Sequence, residues 1–368
     1  MVHNLEKITL LCLSHFKKML RNLSKGIRLL LSPFSLLYYA VTSLRNYGYD
    51  AGLKKTYQSA IFSINVGNLT VGGTGKTPHI EYIATLLKPL YTLAILSRGY
   101  GRDSKGYLKA SSQSNAAEIG DEPLQIYRRF GQQIPVYVCE KRAVGLQRIQ
   151  QEMPSPQIIL LDDAFQHRAI TPHLNLLLSD YGRLFYQDFL LPSGLLRESR
   201  ASAKRADAVI ITKCPTTLEA TQKTLITASV KHYAGSDTPV FFSTFEYGLP
   251  TSYVPHALST SDFPRQFWLV SGIAQPHIFE EAAKEHFQIM GHTAFGDHHS
   301  FSHDDLQQII KQGYPVLTTE KDWVKLQPLV ENIKTEAAKF FYWPIKVKFD
   351  TSDFDNFIFS EAARHFHV

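Results

Sequence analysis

At 368 residues the chain is longer than one hydrophobic core usually serves, so two domains are expected. A hydrophobic content of 44% with 20% charged residues excludes a disordered chain. The net charge of +6 is polarised: residues 1–49 hold Lys7, Lys17, Lys18, Arg21, Lys25, Arg28 and Arg45 against the single acid Glu6, which leaves the body near neutral. That distribution argues against nucleic acid as a partner and for an anionic membrane face. Cys12, Cys139 and Cys214 lie far apart, so neither a disulfide framework nor a zinc site is expected.

Along the chain, the first feature is the apolar run from Leu29 to Leu44, interrupted by Ser32, Pro33 and Ser35 and bracketed by Arg28 and Arg45. A bilayer span needs about 20 apolar residues, so this shorter run is expected to lie in the interface with Tyr38 and Tyr39 at headgroup level. An ordinary core helix and a true span or signal peptide are the competing readings; no small-x-small cleavage site follows the run.

Next, Ala60–Val66 reads as a buried strand running into Gly67-Asn68-Leu69-Thr70-Val71-Gly72-Gly73-Thr74-Gly75-Lys76-Thr77-Pro78, and a helical pattern (Ile80, Ile83, Ala84, Leu86, Leu87) follows. Strand, glycine-rich loop and helix in that order form the context of a P-loop, in which converging backbone N–H groups and a helix N-terminus cradle phosphates. Thr70, Val71, Gly72, Gly73, Thr74, Gly75, Lys76 and Thr77 are the expected ATP-binding residues. Lys76 reaches the β- and γ-phosphates and the Thr77 hydroxyl ligates Mg²⁺. The loop departs from G-x-x-x-x-G-K-[ST] in carrying Thr70 at its first position.

A second strand, Tyr91–Leu96, ends in Ser97-Arg98-Gly99-Tyr100, and a third, Gln157–Leu161, ends in Asp162-Asp163. An apolar strand ending in acids beside a P-loop is the Walker B arrangement, so Asp162 and Asp163 are expected at Mg²⁺, directly or through water. Arg142 and Arg197 are the guanidinium groups expected near the phosphates. Gln166 and His167, just after the acidic pair, are expected to contact substrate or brace the Mg²⁺ shell, with Asn68 as a further substrate contact. Residues 50–235 alternate strands and helices, which predicts an α/β P-loop domain with a mostly parallel sheet covered on both faces. Residues 236–368 read as a smaller α/β domain, after the 1–49 membrane segment, and the cleft between the two domains is the expected active site.

These motifs together resemble the tetraacyldisaccharide 4'-kinase family. The resemblance rests on the P-loop with its missing first glycine, Ser97-Arg98-Gly99-Tyr100, Gly120-Asp121-Glu122-Pro123 and Asp162-Asp163-Ala164-Phe165-Gln166-His167. It continues through Leu191–Glu198, Arg205-Ala206-Asp207, Val270–Ala274, Asp297-His298 and Thr319-Glu320-Lys321-Asp322, in that order over roughly residues 33–325. It implies ATP- and Mg²⁺-dependent phosphorylation of a tetraacyl-disaccharide 1-phosphate lipid at the cytoplasmic face of a Gram-negative inner membrane, with no protein partner implied. It also implies that Asp121, in a loop, is the catalytic carboxylate paired with His298, and that Glu122 assists at Mg²⁺. Ala164 stands where the family commonly has glycine, and nothing transfers to the basic stretch before residue 29. The rival reading, a membrane-associated P-loop switch ATPase, calls for a lysine where this loop has Val71. A soluble small-molecule kinase leaves the N-terminus unexplained.

Overall fold

The computed structural model describes residues 25–153, 155–252, 264–333 and 337–366. The basic tail before Lys25, Cys12 with it, lies outside the described residues. The first element, α1 (Lys25–Asp50), is one continuous helix of 26 residues, longer than the interrupted apolar run suggests. Pro33 lies inside it and cannot donate to the carbonyl of Leu29; the Ser32 hydroxyl takes that carbonyl instead, at 2.7 Å. The predicted interruption is thereby repaired locally, and the helix is long and apolar enough by length and composition to cross a membrane.

The first layer is a nine-stranded sheet. Its chain runs β1 (Phe62–Asn68), α2 (Lys76–Leu87), β2 (Leu93–Ser97), β3 (Leu108–Lys109), α3 (Ala116–Ile119), α4 (Asp121–Phe130), β4 (Val136–Val138), α5 (Arg142–Glu152), β5 (Ile158–Asp162), β6 (Leu174–Asp180), β7 (Ala208–Thr212), α6 (Ala220–Ala234) and β8 (Val240–Tyr247). The strand order is β14-β8-β7-β6-β1-β5-β2-β4-β3, with β14 being Ile345–Phe349. All pairings in it are parallel except β3 with β4 and β8 with β14. The central strands are fully buried, as a sheet covered on both faces requires; β5 and β7 are apolar up to their last residue, whereas β1 and β6 also bury Ser63, Asn65 and Asn175.

The second layer is a five-stranded sheet of order β11-β10-β12-β13-β9. Its elements are β9 (Thr251–Ser252), β10 (Gln266–Ser271), α7 (Pro276–His286), β11 (Gln288–Ala294), α8 (His303–Ile310), β12 (Val316–Thr319), α9 (Glu320–Val330) and β13 (Phe340–Trp343). Helix α8 starts as the sequence suggests, at a capping box between Ser302 and Asp305. The last part of the chain goes elsewhere. Strand β14 pairs with β8, and α10 (Asp353–Phe366) buries Phe354, Ile358 and Ala362 in the core under the first sheet, so the C-terminus returns to the P-loop layer.

Candidate active site

Parallel strands deliver their following loops to one edge of a sheet, and β1, β2 and β5 are neighbours there. The P-loop after β1, Ser97 and Arg98 after β2, and the acids at the end of β5 therefore converge. Together with residues from the second layer they line one cavity of about 790 Å³, a size suited to a nucleotide and part of an acceptor. The P-loop lining comprises Thr70, Val71, Gly72, Gly73, Thr74, Gly75, Lys76 and Thr77, as expected from the sequence. Gly75 sits at φ 83° directly before α2, and a Cβ there would lie 2.5 Å from Phe245 Cζ. Only glycine fits that turn. Asn68 braces the loop by donating to Thr74 Oγ1 at 2.7 Å, a structural bond rather than an exposed substrate contact.

Asp162 and Asp163 are adjacent and differently placed. Asp163 is at φ 51°, where Arg197 grips it through two bonds of 3.0 and 2.8 Å and Lys76 approaches to 3.7 Å. Burial alone would raise its carboxyl, but Arg197 and Lys76 outweigh that and hold it well below the usual carboxylate range. Asp162 accepts from the Ser97 hydroxyl at 2.8 Å on Oδ2, while its buried Oδ1 has no hydrogen-bond partner among the described residues. Burial, with Glu122 and Asp163 beside it, pushes its carboxyl up to about 7. A buried, unpartnered carboxylate oxygen whose charge is disfavoured fits a hard divalent cation.

Arg142 and Arg197 line the cavity but are held by protein groups. Arg142 is 1% exposed and donates to the carbonyls of Cys139 at 3.1 Å and Asp162 at 3.2 Å, supporting the acidic turn from beneath. Gln166 donates to the Asn68 carbonyl at 2.8 Å, and its Oε1 is left without a partner among the described residues. His167 is kept neutral: burial, followed by Arg142, Arg98 and Arg45, pushes it down to about 4.

Asp121, expected in a loop, is instead the first residue of α4, where the helix dipole favours a carboxylate. Gly120 before it takes φ 94°, a turn that brings a Cβ position within 3.1 Å of the Tyr100 carbonyl. From the second layer His298, at φ 61°, places Nδ1 2.8 Å from Asp121 Oδ2, and the Tyr100 ring lies 5.6 Å from its imidazole. Burial alone would raise the Asp121 carboxyl, but Lys321, His298 and Lys325 reverse this and hold it well below the usual range. The neighbouring His299 Nε2 meets Asp305 Oδ2 at 3.0 Å.

Sequence reasoning missed two cations here. Lys213, at φ 57° after β7, donates to the P-loop carbonyl of Gly73 at 2.5 Å, to Asp180 at 2.8 Å and to Gln275 of the second layer at 3.0 Å. Lys321 appeared only as part of a motif, with no role. Burial alone would lower its ammonium, but Asp121, Glu122 and Asp297 raise it and keep it charged. The signal was a lysine directly after an apolar strand for Lys213, and one residue further on for Lys321.

A P-loop joined to a Walker B acid, with the histidine of a carboxylate–histidine pair lining the same cavity, defines a phosphotransferase of the P-loop class. The family model described as tetraacyldisaccharide-1-P 4'-kinase matches residues 27–363. Tetraacyldisaccharide 4'-kinase from Cytophaga hutchinsonii is 39% identical over 327 residues, covering 87% of this chain and 91% of that protein. The one from Flavobacterium psychrophilum is 40% identical over 328 residues, covering 88% and 93%. The solved structure of LpxK from Aquifex aeolicus in complex with ATP superposes with a TM-score of 0.72 at 29% identity, covering 91% of this chain and 99% of that one. The chain belongs to the tetraacyldisaccharide 4'-kinase family.

Proposed function

We infer that the chain transfers the γ-phosphate of ATP to the 4'-hydroxyl of a tetraacyl-disaccharide 1-phosphate, a step of lipid A biosynthesis. The observation that carries the chemistry is the Asp121–His298 pair, 2.8 Å apart, whose His298 lines the same cavity as the P-loop, in a chain matched by the family model over 27–363. The P-loop N–H groups and Lys76 hold the β- and γ-phosphates. The Asp121–His298 pair orients the acceptor hydroxyl and takes its proton as the new P–O bond forms. Arg197 acts by fixing Asp163, and Arg142 by fixing the Asp162 backbone. Gln166 and His167, the latter neutral, line the same cavity and contact the disaccharide in this reading.

The residues present fit Mg²⁺: Asp162 Oδ1 is the first candidate ligand, with the Thr77 hydroxyl and Glu122 beside the same cavity. Asp163, consumed by Arg197 and Lys76, acts behind it. Few protein ligands are needed, because Mg²⁺ keeps waters and phosphate oxygens. When bound it neutralises charge on the transferred group.

The enzyme works at the cytoplasmic face of the inner membrane in this reading, as its ATP requirement and Gram-negative relatives suggest. Support comes from α1, whose polar side docks on the P-loop layer through Ser35 to Ser193 at 2.8 Å, Tyr38 to the Arg197 carbonyl at 2.9 Å and Arg45 to the Gln166 carbonyl at 2.8 Å. Its other side leaves Leu29, Leu30, Phe34, Leu36, Leu37 and Leu44 each more than 60% exposed, a continuous apolar face suited to acyl chains.

The test is transfer of labelled γ-phosphate to a tetraacyl-disaccharide 1-phosphate in detergent with Mg²⁺, comparing wild type with Asp121→Ala. Product from the wild type and a loss of ~10²-fold or more in the variant is the expected result. ATP hydrolysis on anionic vesicles without lipid product would instead mark a switch ATPase.

A further inference from the structure

The motif Thr319-Glu320-Lys321-Asp322 has no part in the reaction as described, yet the fold drives it into the reaction centre. Asp322 is fully buried and works as a lock: its Oδ2 accepts from the Gly272 N–H at 2.7 Å and from the Thr319 hydroxyl at 2.8 Å. The Gly272 carbonyl in turn accepts from the His298 N–H at 3.1 Å. The same clamp that sets the His298 backbone therefore sets the first turn of α9. That turn aims Lys321 across the cleft at α4.

The Lys321 ammonium lies 3.4 Å from Glu122 Oε1, 3.4 Å from His298 Nε2, 3.8 Å from Asp297 Oδ1 and 4.0 Å from Asp121 Oδ2. It lines the same cavity as the P-loop. Two of the cavity arginines are committed, Arg142 to two carbonyls and Arg197 to Asp163 and Asn68, while Arg98 lines the cavity from the first layer, after β2. Lys325 behind it is held by Asp322 at 3.1 Å. A lysine keeps three rotatable donors on a flexible stem, so Lys321 can exchange a carboxylate oxygen for a phosphoryl oxygen without moving the backbone.

We propose that Lys321 is a catalytic residue, the cation with which the second layer grips the γ-phosphoryl group from the side opposite Lys76. The proposal rests on the Asp121–His298 reading above. An acceptor hydroxyl held by that pair lies beside the Lys321 ammonium, and the γ-phosphoryl group must meet the hydroxyl in line. In transfer, the bond from the γ-phosphorus to its bridging oxygen breaks and the bond to the 4'-oxygen forms. The hydroxyl proton goes to the Asp121–His298 pair, and the bridging oxygen leaves with ADP. Lys321 donates N–H bonds to the γ-oxygens throughout and keeps its proton.

The experiment compares full-length wild type, Lys321→Met and Lys321→Arg in detergent with Mg²⁺. Calorimetry measures binding of ADP and of β,γ-imido-ATP, alongside kcat and KM for the lipid kinase reaction. Lys321→Met is expected to weaken the triphosphate analogue by about tenfold or more with ADP affinity unchanged, and to cut kcat by ~10²-fold, with partial rescue by Lys321→Arg. An equal fall for both nucleotides would reduce Lys321 to a structural part, and an unchanged ratio with unchanged kcat would remove it from the site. If melting shows Lys321→Met unfolded, the same ratio on Lys321→Gln decides. Absence of lipid product from the wild type would instead defeat the function itself. Wild-type product with an unaltered nucleotide ratio in the variants would defeat the Lys321 role alone.

Discussion

Two neighbouring carboxylates at the end of β5 show how far environment separates identical side chains. Asp163 is forked by Arg197 and kept ionised, while Asp162, with one oxygen unpartnered, is pushed up to about 7. Asp162→Asn is expected to raise the Mg²⁺ concentration needed for half-maximal activity by about tenfold or more while nucleotide binding without metal persists. An unchanged Mg²⁺ requirement would return Asp163 to the metal. At the P-loop, Gly75→Ala forces an alanine to φ 83° and sets its Cβ 2.5 Å from the Phe245 ring. The variant should bind ATP roughly 5- to 150-fold more weakly, since strain of that kind costs roughly 1–3 kcal/mol and falls on the phosphate cradle; calorimetry reads it directly.

At the scale of elements, α1 divides its work between two faces. Its hydroxyls and Arg45 bond to the Leu190–Arg197 segment and to Gln166, so docking is polar and specific, whereas the Leu-rich face is left exposed among the described residues. Replacing Leu36 and Leu37 together by Glu should therefore abolish sedimentation with anionic vesicles and leave the melting temperature within about 2 °C of wild type, because exposed substitutions seldom shift stability by more than ~0.5 kcal/mol. Loss of fold along with vesicle binding would mean that the face packs against protein after all. The apolar pattern of this helix was legible in the sequence. Its continuity through Pro33 was not, because it depends on one hydroxyl finding one orphaned carbonyl.

Across the whole molecule, the two layers are riveted where α4 meets α9. Arg129 pairs with Glu81 of α2 at 3.0 Å and with Glu320 of α9 at 3.6 Å, and Arg128 donates to the Val324 carbonyl at 3.1 Å and to Gln327 at 2.8 Å. Glu81 is 3% exposed, and its burial, partly offset by Arg129, pushes its carboxyl from 4.5 up to about 8. A carboxyl raised by folding binds its proton more tightly in the native state, so its contribution is complete below 4.5 and is lost as pH rises towards 8. Urea unfolding should therefore show wild-type stability declining across that window and Glu81→Gln flattening the decline; parallel curves for the two proteins would contradict this. Since Asp121 and Lys321 start these same two helices, the rivet also sets how the reacting groups meet.

The sequence by itself determined the P-loop, the Walker B strand, the alternation that makes a parallel sheet, and the family motifs, because each is a local pattern of glycine, apolar period and charge. It did not determine that Asp121 opens a helix, since Gly120 terminates one helix and begins another only through a backbone turn against Tyr100. Nor did it show that β14 and α10 return to the first layer, because an apolar strand and helix do not specify which sheet edge they will cover. The meeting of Asp121 with His298 and Lys321, 177 and 200 positions further along the chain, is likewise decided by tertiary structure. Propensity and periodicity act over a few residues, whereas the charges that tune this site come together only when two sheets pack and exclude water between them.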